Sequence, residues 1–153
     1  MSALVHATCV ALPSRGRASG DQTWRGVLLR GPSGAGKSDL ALRLIDAGAR
    51  LVADDQTELS RRGRRLLGSA PATIAGLMEV RGVGIVRLGR AQLMAQVPIG
   101  LLVDLVPPKR IERLPEPAWE SVLGLDLPVL ALTPFEVSAP AKLRLALAQI
   151  AAA

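Results

Sequence analysis

The sequence is organised around a glycine-rich stretch that reads Gly31-Pro32-Ser33-Gly34-Ala35-Gly36-Lys37-Ser38. It satisfies in full the pattern Gly-x-x-x-x-Gly-Lys-Ser of a phosphate-binding loop, which we call the P-loop. Glycines in such a loop let successive backbone N–H groups surround phosphate oxygens, while the lysine neutralises their charge and the serine hydroxyl ligates Mg²⁺. We therefore predict that Gly31 and residues 33–38 bind ATP and that Ser38 also binds Mg²⁺.

The residues on either side of the P-loop predict the strand and the helix that such a loop requires. Residues 27–29 are apolar and predict a strand, and from Lys37 to Ile45 apolar residues recur at helical spacing. Gly48 stands where a left-handed residue commonly ends a helix. A strand, a glycine-rich loop and a helix in this order indicate an α/β domain with a mixed β-sheet around the P-loop helix.

Further apolar segments predict the rest of this sheet and a C-terminal helix. Strands are expected over residues 6–12, 51–53, 77–80, 82–86, 101–106 and 127–132, a hairpin over 57–67, one helical turn over 119–123 and an amphipathic helix after Pro140. Residues 13–24 are rich in Ser, Arg and Gly and predict a mobile hairpin loop. We expect residues 1–153 to form a single catalytic domain.

Length and composition exclude several classes of protein. A chain of 153 residues with 49% hydrophobic and 21% charged residues is typical of one globular domain, and no apolar run approaches the roughly 18 residues that a membrane span needs. The single Cys9 excludes an internal disulfide framework, and the N-terminus has no pattern of a secretory signal. We expect a cytoplasmic protein that does not associate with a membrane.

The net charge of +6 does not by itself indicate a nucleic-acid partner. Most of the basic residues are arginines dispersed along the chain, and only three residues are aromatic, so platforms for stacking bases are scarce. The one dense basic run, residues 61–65, is expected to be a solvated turn, with contact to an anionic partner as the alternative. We therefore expect no nucleic-acid partner.

Two sets of acids are candidates for the metal site. Asp54 and Asp55 follow the strand over residues 51–53, whereas Asp104 follows an apolar run as a Walker-B aspartate does. We favour the adjacent pair, because one carboxylate can hold Mg²⁺ while the other accepts a proton from an incoming hydroxyl. His6 is the only histidine, and a lone histidine on a strand is most often structural. Its strand is expected to neighbour the P-loop strand, which would bring the imidazole within reach of Asp54.

The P-loop and two further motifs together are similar to one enzyme family. These motifs are Val52-Ala53-Asp54-Asp55 and Glu79-Val80-Arg81-Gly82-Val83-Gly84-Ile85, with His6 before them and Glu112-Arg113-Leu114 after them. In this order they resemble the catalytic domain of HPr kinase/phosphorylase, the bacterial enzyme that phosphorylates a serine of the phosphocarrier protein HPr. The resemblance implies a P-loop-containing mixed-sheet core with flanking helices, like that of HPr kinase and phosphoenolpyruvate carboxykinase.

The resemblance also implies roles for single catalytic residues. Asp54 is similar to the catalytic carboxylate that acts as base in the forward reaction and as acid in the reverse reaction, and His6 to the histidine that contacts it. Arg81 belongs to a signature linked to the dephosphorylating reaction. Arg113 matches a catalytic arginine near the transferred phosphate.

The resemblance also implies metal-site residues, cofactors and partners. Ser38, Asp55 and Glu79 resemble metal-site residues, which implies ATP and Mg²⁺ as cofactors. The implied partner is an HPr-type phosphocarrier protein, and the family's hexamers imply a homo-oligomer.

The chain departs from the family in several places, among them a shortened segment over residues 89–98. A separate N-terminal domain is missing, an insertion separates His6 from the P-loop, and the family's Pro-Gly-Arg-Asn segment is not recognisable in residues 134–142. These departures resemble truncated alphaproteobacterial forms, whose partner is the HPr of a regulatory phosphotransferase system. We expect an ATP- and Mg²⁺-dependent protein serine kinase, and these departures leave open whether it also catalyses the reverse phosphorylase reaction. The alternatives are a small-molecule phosphotransferase and a nucleotide-binding sensor that transfers no phosphate.

Overall fold

A computed structural model describes residues 1–15 and 22–152 of the chain. In this part of the chain, a nine-stranded mixed sheet carries two α-helices, and a separate two-stranded hairpin lies beside it. The elements are β1 (Ser2–Val5), β2 (Thr8–Arg15), β3 (Gln22–Arg30), α1 (Lys37–Asp46), β4 (Arg50–Ala53), β5 (Thr57–Arg62), β6 (Arg65–Ser69), β7 (Leu77–Val80), β8 (Gly84–Arg87), β9 (Gln96–Leu105), β10 (Ala118–Val122), β11 (Leu125–Leu132) and α2 (Ala139–Ala152).

The long strand β9 lies at the centre of the sheet. It pairs in parallel with β3 on one side and with β11 on the other, and its first residues pair antiparallel with β6. Beyond β3, strand β2 runs antiparallel to it and β4 runs antiparallel to β2, so β4 points in the same direction as β3. The carboxyl ends of β3, β4, β9 and β11 therefore lie at one edge of the sheet.

Alternating side chains of the central strands form two hydrophobic cores. Val27 and Leu29 face α1 and α2, whereas Leu28 faces the opposite side, where β5 and β6 cover it. Cys9 is fully buried in this second core, and burial raises the pKa of its thiol. Within the described residues, neither helix combines the length and the apolar character needed to cross a membrane.

The strand–loop–helix unit around the P-loop is confirmed. Strand β3 leads into the loop, and α1 begins at Lys37 and ends two residues before Gly48, which has the left-handed φ of 109° expected of it. The other predicted strands also form, but the first of them begins at Thr8 rather than at His6. His6 lies in the bend between β1 and β2, so the alternation of side chains between the two faces of a strand does not determine the direction of its side chain.

The helical turn predicted over residues 119–123 is wrong, because this segment forms strand β10. It pairs antiparallel with β11 through a two-residue turn at Leu123 and Gly124, whose φ angles are 50° and 82°. Two successive residues with positive φ are the turn that joins hairpin strands without splaying them. Arg61 Nη1 donates to the carbonyl of Leu123 at 3.0 Å and holds this turn against the β5 strand.

The loop predicted over residues 13–24 is shorter than expected. Pro13 pairs with Trp24 and Arg15 with Gln22 in the β2–β3 ladder, so residues 13–15 and 22–24 are strand residues. Pro13 is tolerated there because a strand position that does not need to donate its N–H accepts proline. The remaining residues of the predicted loop, 16–21, lie outside the described residues.

The close approach of β3 and β9 predicts that Gly26 has no room for a side chain. A Cβ atom at Gly26 would lie 2.6 Å from Val97 Cγ1 and 2.8 Å from Ile99 Cδ1, whereas a Cβ at Gly89 would meet nothing within 4 Å. We expect Gly26→Ala to lower the free energy of unfolding by about 1–3 kcal/mol through overpacking. Denaturant titration would measure this loss as a lower unfolding midpoint at an unchanged m-value. Gly89→Ala is the control, and equal midpoints for the two variants would contradict this packing.

Candidate active site

The P-loop connects the carboxyl end of β3 to the first turn of α1. Gly36 has a φ of 101°, a conformation that suits glycine, and it directly precedes the first helical residue. Lys37 is only 5% exposed, and its ammonium donates to the carbonyl oxygens of Gly31 at 2.6 Å and Pro32 at 3.2 Å. The loop's own carbonyls thus hold this lysine beside the helix N-terminus, where N–H groups and the helix dipole favour an anion.

The two adjacent acids lie beside the P-loop because β3 and β4 end at the same edge of the sheet. Asp54 and Asp55 follow β4 directly. Together with the P-loop, the start of α1, the β7–β8 hairpin and Phe135 they enclose a cavity of about 460 Å³. The cavity brings together the predicted residues Lys37, Ser38 and both acids.

Asp54 is a buried carboxylate that accepts hydrogen bonds from three separate elements. Its Oδ1 accepts from Ser38 Oγ at 2.9 Å and from Thr8 Oγ1 at 3.3 Å, and its Oδ2 accepts from the backbone N–H of Glu79 at 2.9 Å. The residue is 8% exposed. Three donors from three elements thus fix the orientation of this buried carboxyl group next to the P-loop serine.

Asp55 has a different environment although it is the next residue. Its backbone has a φ of 65°, and its N–H donates to Thr8 Oγ1 at 3.0 Å. Its side chain is 57% exposed, accepts a 2.8 Å hydrogen bond from His6 Nε2 and lies 3.8 Å from Lys37 Nζ. Asp55 therefore presents a solvent-accessible carboxylate to the cavity, between an imidazole and an ammonium group.

These contacts correct the predicted partner of His6. The sequence led us to expect the imidazole at Asp54, but it hydrogen-bonds to Asp55, because the positive φ of Asp55 turns that side chain toward the bend that carries His6. Likewise Ser38, which we grouped with Asp55 in the metal site, donates to Asp54. Asp55 thus contacts His6, which was expected at Asp54, and Asp54 contacts Ser38, which was expected beside Asp55.

The remaining predicted site residues divide between the cavity and its surroundings. Glu79 and Arg81, at the end of β7, line the cavity, and both are exposed. Arg113 lies in the exposed segment between β9 and β10 and is not among the described residues that line the cavity. In residues 1–15 and 22–152 there is no group of three or more His, Cys, Asp or Glu side chains placed to hold a metal ion.

Asp104, the alternative metal-site acid, lies in an ion-pair network outside the cavity. Arg30 donates to both of its carboxylate oxygens, at 2.8 and 3.1 Å, and to both oxygens of Glu120, at 2.6 and 2.9 Å. The hydrogen bonds from Arg30 hold the pKa of Glu120 below its usual value, and the bond to Glu120 raises the pKa of Arg30. The Arg30 guanidinium of β3 therefore links Asp104 on β9 to Glu120 on β10.

Thr8 is a site residue that the sequence analysis missed. Its hydroxyl donates to Asp54 and accepts from the backbone of Asp55, so a single group positions both acids. It is fully buried among apolar neighbours of β2. In the sequence, Thr8 is recognisable only as a hydroxyl residue two positions after His6 in a mostly apolar segment. Such a residue does not by itself predict a contact with an acid.

Comparison with known proteins identifies close relatives of the chain. The family described as "HPr Serine kinase C-terminal domain" matches residues 23–137. The HPr kinase/phosphorylase of Geobacillus thermodenitrificans (strain NG80-2) is 40% identical over 116 residues, which cover 70% of this chain and 38% of that protein. That of Exiguobacterium sp. (strain ATCC BAA-1283 / AT1b) is 46% identical over 85 residues, 52% of this chain and 27% of that protein.

The fold has a solved relative. The structure of the HPr(Ser) kinase/phosphatase from Coxiella burnetii superposes with a TM-score of 0.75 and 27% sequence identity, over 94% of this chain and 92% of that chain. The mixed α/β fold with flanking helices is thus confirmed. The chain spans little more than a third of the length of the curated relatives, 38% in the first comparison.

The position of Thr8 predicts that its hydroxyl is needed for stability. Thr8→Val removes a donor to the buried Asp54 and the acceptor of the Asp55 N–H, so we expect the free energy of unfolding to fall by about 1–3 kcal/mol. Thr8→Ser keeps the hydroxyl and is expected to retain most of this stability. Thermal or denaturant unfolding of the two variants measures the difference, and a valine variant as stable as the serine variant would refute it.

Proposed function

The chain belongs to the family of HPr serine kinase C-terminal domains, and from this premise we propose that it transfers the γ-phosphoryl group of ATP to a serine of an HPr-type phosphocarrier protein. The observation that carries the proposal is the pair Asp54 and Asp55, two adjacent carboxylates in different environments beside one P-loop. A protein that only senses a nucleotide needs a phosphate site but no accessible carboxylate next to it. The relatives are kinase/phosphorylases by name, and a soluble phosphocarrier substrate places the reaction in the cytoplasm.

The phosphate end of the site consists of the P-loop and the first turn of α1. Backbone N–H groups at the helix N-terminus would donate hydrogen bonds to the β- and γ-phosphates, and Lys37 would exchange its bonds to the Gly31 and Pro32 carbonyls for bonds to phosphate oxygens. Because Lys37 is almost fully buried, its charge acts at short range with little screening by water. These groups would hold the triphosphate on the P-loop, in the cavity that also contains the two acids.

The oxygen donors around Ser38 fit Mg²⁺. Mg²⁺ prefers oxygen ligands and is commonly held by one or two carboxylates together with substrate phosphates, and here Ser38 Oγ lies 2.9 Å from Asp54 Oδ1 with Glu79 at the same end of the cavity. We assign Ser38, Asp54 and Glu79 to this site. When bound, the ion supplies positive charge that offsets the charge on the phosphate oxygens during transfer.

Asp55 is the carboxylate that we assign to proton transfer. A serine of a protein substrate must reach the base directly, and the Asp55 side chain is 57% exposed, whereas Asp54 is 8% exposed and already accepts three hydrogen bonds. His6 orients the Asp55 carboxylate through Nε2, so the second oxygen is left for the serine hydroxyl. In the reverse reaction, the same carboxyl group would return the proton to the serine oxygen. This assignment exchanges the roles that the sequence resemblance implied for Asp54 and Asp55.

Two arginines are predicted to stabilise the phosphoryl group during its transfer. Arg81 lines the cavity on the β7–β8 hairpin, where its guanidinium can approach a transferred phosphate or the partner protein. Arg113 is on an exposed segment after β9, the strand that ends at the same edge of the sheet. We propose that both act on the phosphoryl group when the partner is bound.

The roles of the two acids can be separated by isosteric substitution. We expect Asp55→Asn to bind Mg·ATP normally but to transfer phosphate to HPr about 10²- to 10⁴-fold more slowly, the range for loss of a general base. We expect Asp54→Asn to require a higher Mg²⁺ concentration for its half-maximal rate, because the fixed charge beside Ser38 is lost. Single-turnover transfer from labelled ATP at several Mg²⁺ concentrations, with calorimetry of Mg·ATP binding, measures both effects.

Asp104→Asn is the control, because this acid pairs with Arg30 outside the cavity. It should leave the rate and the Mg²⁺ requirement unchanged. Fast transfer by Asp55→Asn together with slow transfer by Asp54→Asn at saturating Mg²⁺ would restore the original assignment. No labelled serine on HPr with the unsubstituted protein would refute the kinase function itself.

A further inference from the structure

Phe135 is an aromatic ring on the rim of the P-loop cavity, and neither the sequence motifs nor the proposed mechanism uses it. Of the three aromatic side chains in the chain, all of which the structure describes, Phe135 alone lines this cavity. Its side chain is 68% exposed, although a ring of this size gains free energy when it is buried. Exposure alone is common for apolar residues, so its position beside the phosphate site is what requires an explanation.

The ring rests directly on the P-loop backbone. A Cβ atom at Gly36 would lie 2.9 Å from Phe135 Cζ and 3.1 Å from Pro134 Cγ, so a side chain at this position would force the ring to move. Glycine therefore suits this position in two ways, through its left-handed backbone and through its contact with Phe135. The aromatic ring thus lies against the end of the P-loop, next to the first turn of α1.

The backbone on both sides of Phe135 is tied to α1. Arg43 donates through Nη2 to the carbonyl of Pro134 and through Nη1 to that of Glu136 at 3.3 Å, and its Nε donates to Asp39 at 3.0 Å. These bonds hold the backbone on both sides of the ring in place before a ligand arrives, which restricts the positions that the ring can take. Preorganisation of this kind lowers the entropy cost of binding.

We propose that Phe135 is the stacking platform for the base of the nucleoside triphosphate, the adenine of ATP in the proposed reaction. A nucleotide whose phosphates lie on the P-loop needs a flat apolar surface for its base a short distance away, and Phe135 offers one in the same cavity. Leu42, from the second turn of α1, adds apolar lining next to it. The inference rests on the proposed function, since it requires a triphosphate on the P-loop.

The test compares two ligands that share phosphates and differ in the base. We expect Phe135→Ala to bind Mg·ATP about 10- to 100-fold more weakly, the usual effect of losing one base–aromatic stack, and to bind Mg-tripolyphosphate as the unsubstituted protein does. Phe135→Trp keeps a stacking ring and should retain most of the ATP affinity. Val137→Ala, two residues along the same segment and 99% exposed, is the matched control and should change neither ligand. In transfer assays Phe135→Ala should raise the KM for ATP and keep kcat at saturating ATP.

The possible outcomes separate this inference from the proposed function. Equal weakening of ATP and tripolyphosphate in Phe135→Ala would mean that the ring only supports the P-loop, and would overturn the inference. Unchanged ATP affinity with a raised KM for HPr would assign the ring to the protein substrate and would also overturn it. If the unsubstituted protein bound neither ATP nor tripolyphosphate, the phosphate site itself, and with it the proposed function, would be wrong.

Discussion

The buried carboxylate of Asp54 connects three parts of the chain that are distant in sequence, and the geometry of the candidate site depends on it. It accepts from the P-loop through Ser38, from β2 through Thr8 and from the β7–β8 hairpin through the Glu79 N–H. Hydrogen bonds to an ionised acceptor are roughly twice as strong as neutral ones, and each donor left unpaired in the interior would cost about 1–3 kcal/mol. The separate hairpin forms no ladder with the main sheet in the part of the chain that the structure describes. It is joined to the cavity by this hydrogen bond and by Met78, which is buried in the core with α1.

The same arrangement explains how two adjacent acids can serve different functions. Successive residues of a strand point to opposite faces, but Asp55 lies just after β4 and takes a φ of 65°. This conformation is tolerated by Asp better than by most residues, and the Thr8 hydroxyl compensates part of its cost by accepting the Asp55 N–H. As a result one carboxylate is enclosed by donors and the other faces the cavity, without any second acidic motif elsewhere in the sequence.

How far the sequence predicts the site depends on whether a feature is local. The P-loop, its flanking strand and α1 are predictable because their glycines and apolar spacing determine backbone geometry within a few residues. The partner of His6 is not, because it depends on a positive φ at Asp55, a residue that also occupies ordinary backbone conformations. Strand β10 was misassigned for the same reason: its turn needs a φ of 50° at Leu123, a residue that rarely adopts it. Both failures involve left-handed residues that are not glycine.

The rim of the cavity that carries Phe135 follows from strand direction rather than from any motif. Strands β3 and β11 run parallel on either side of β9, so the loops after them emerge at one edge of the sheet although about a hundred residues separate them. The loop after β3 is the P-loop, and the loop after β11 carries Phe135, in a segment where the family's Pro-Gly-Arg-Asn motif is not recognisable. Because α1 is joined to that second loop by Arg43, the helix that begins at the P-loop lysine also positions the rim that carries Phe135. Motifs thus indicate the P-loop side of the candidate site, whereas the Phe135 rim becomes visible only once the parallel pairing with β9 is known.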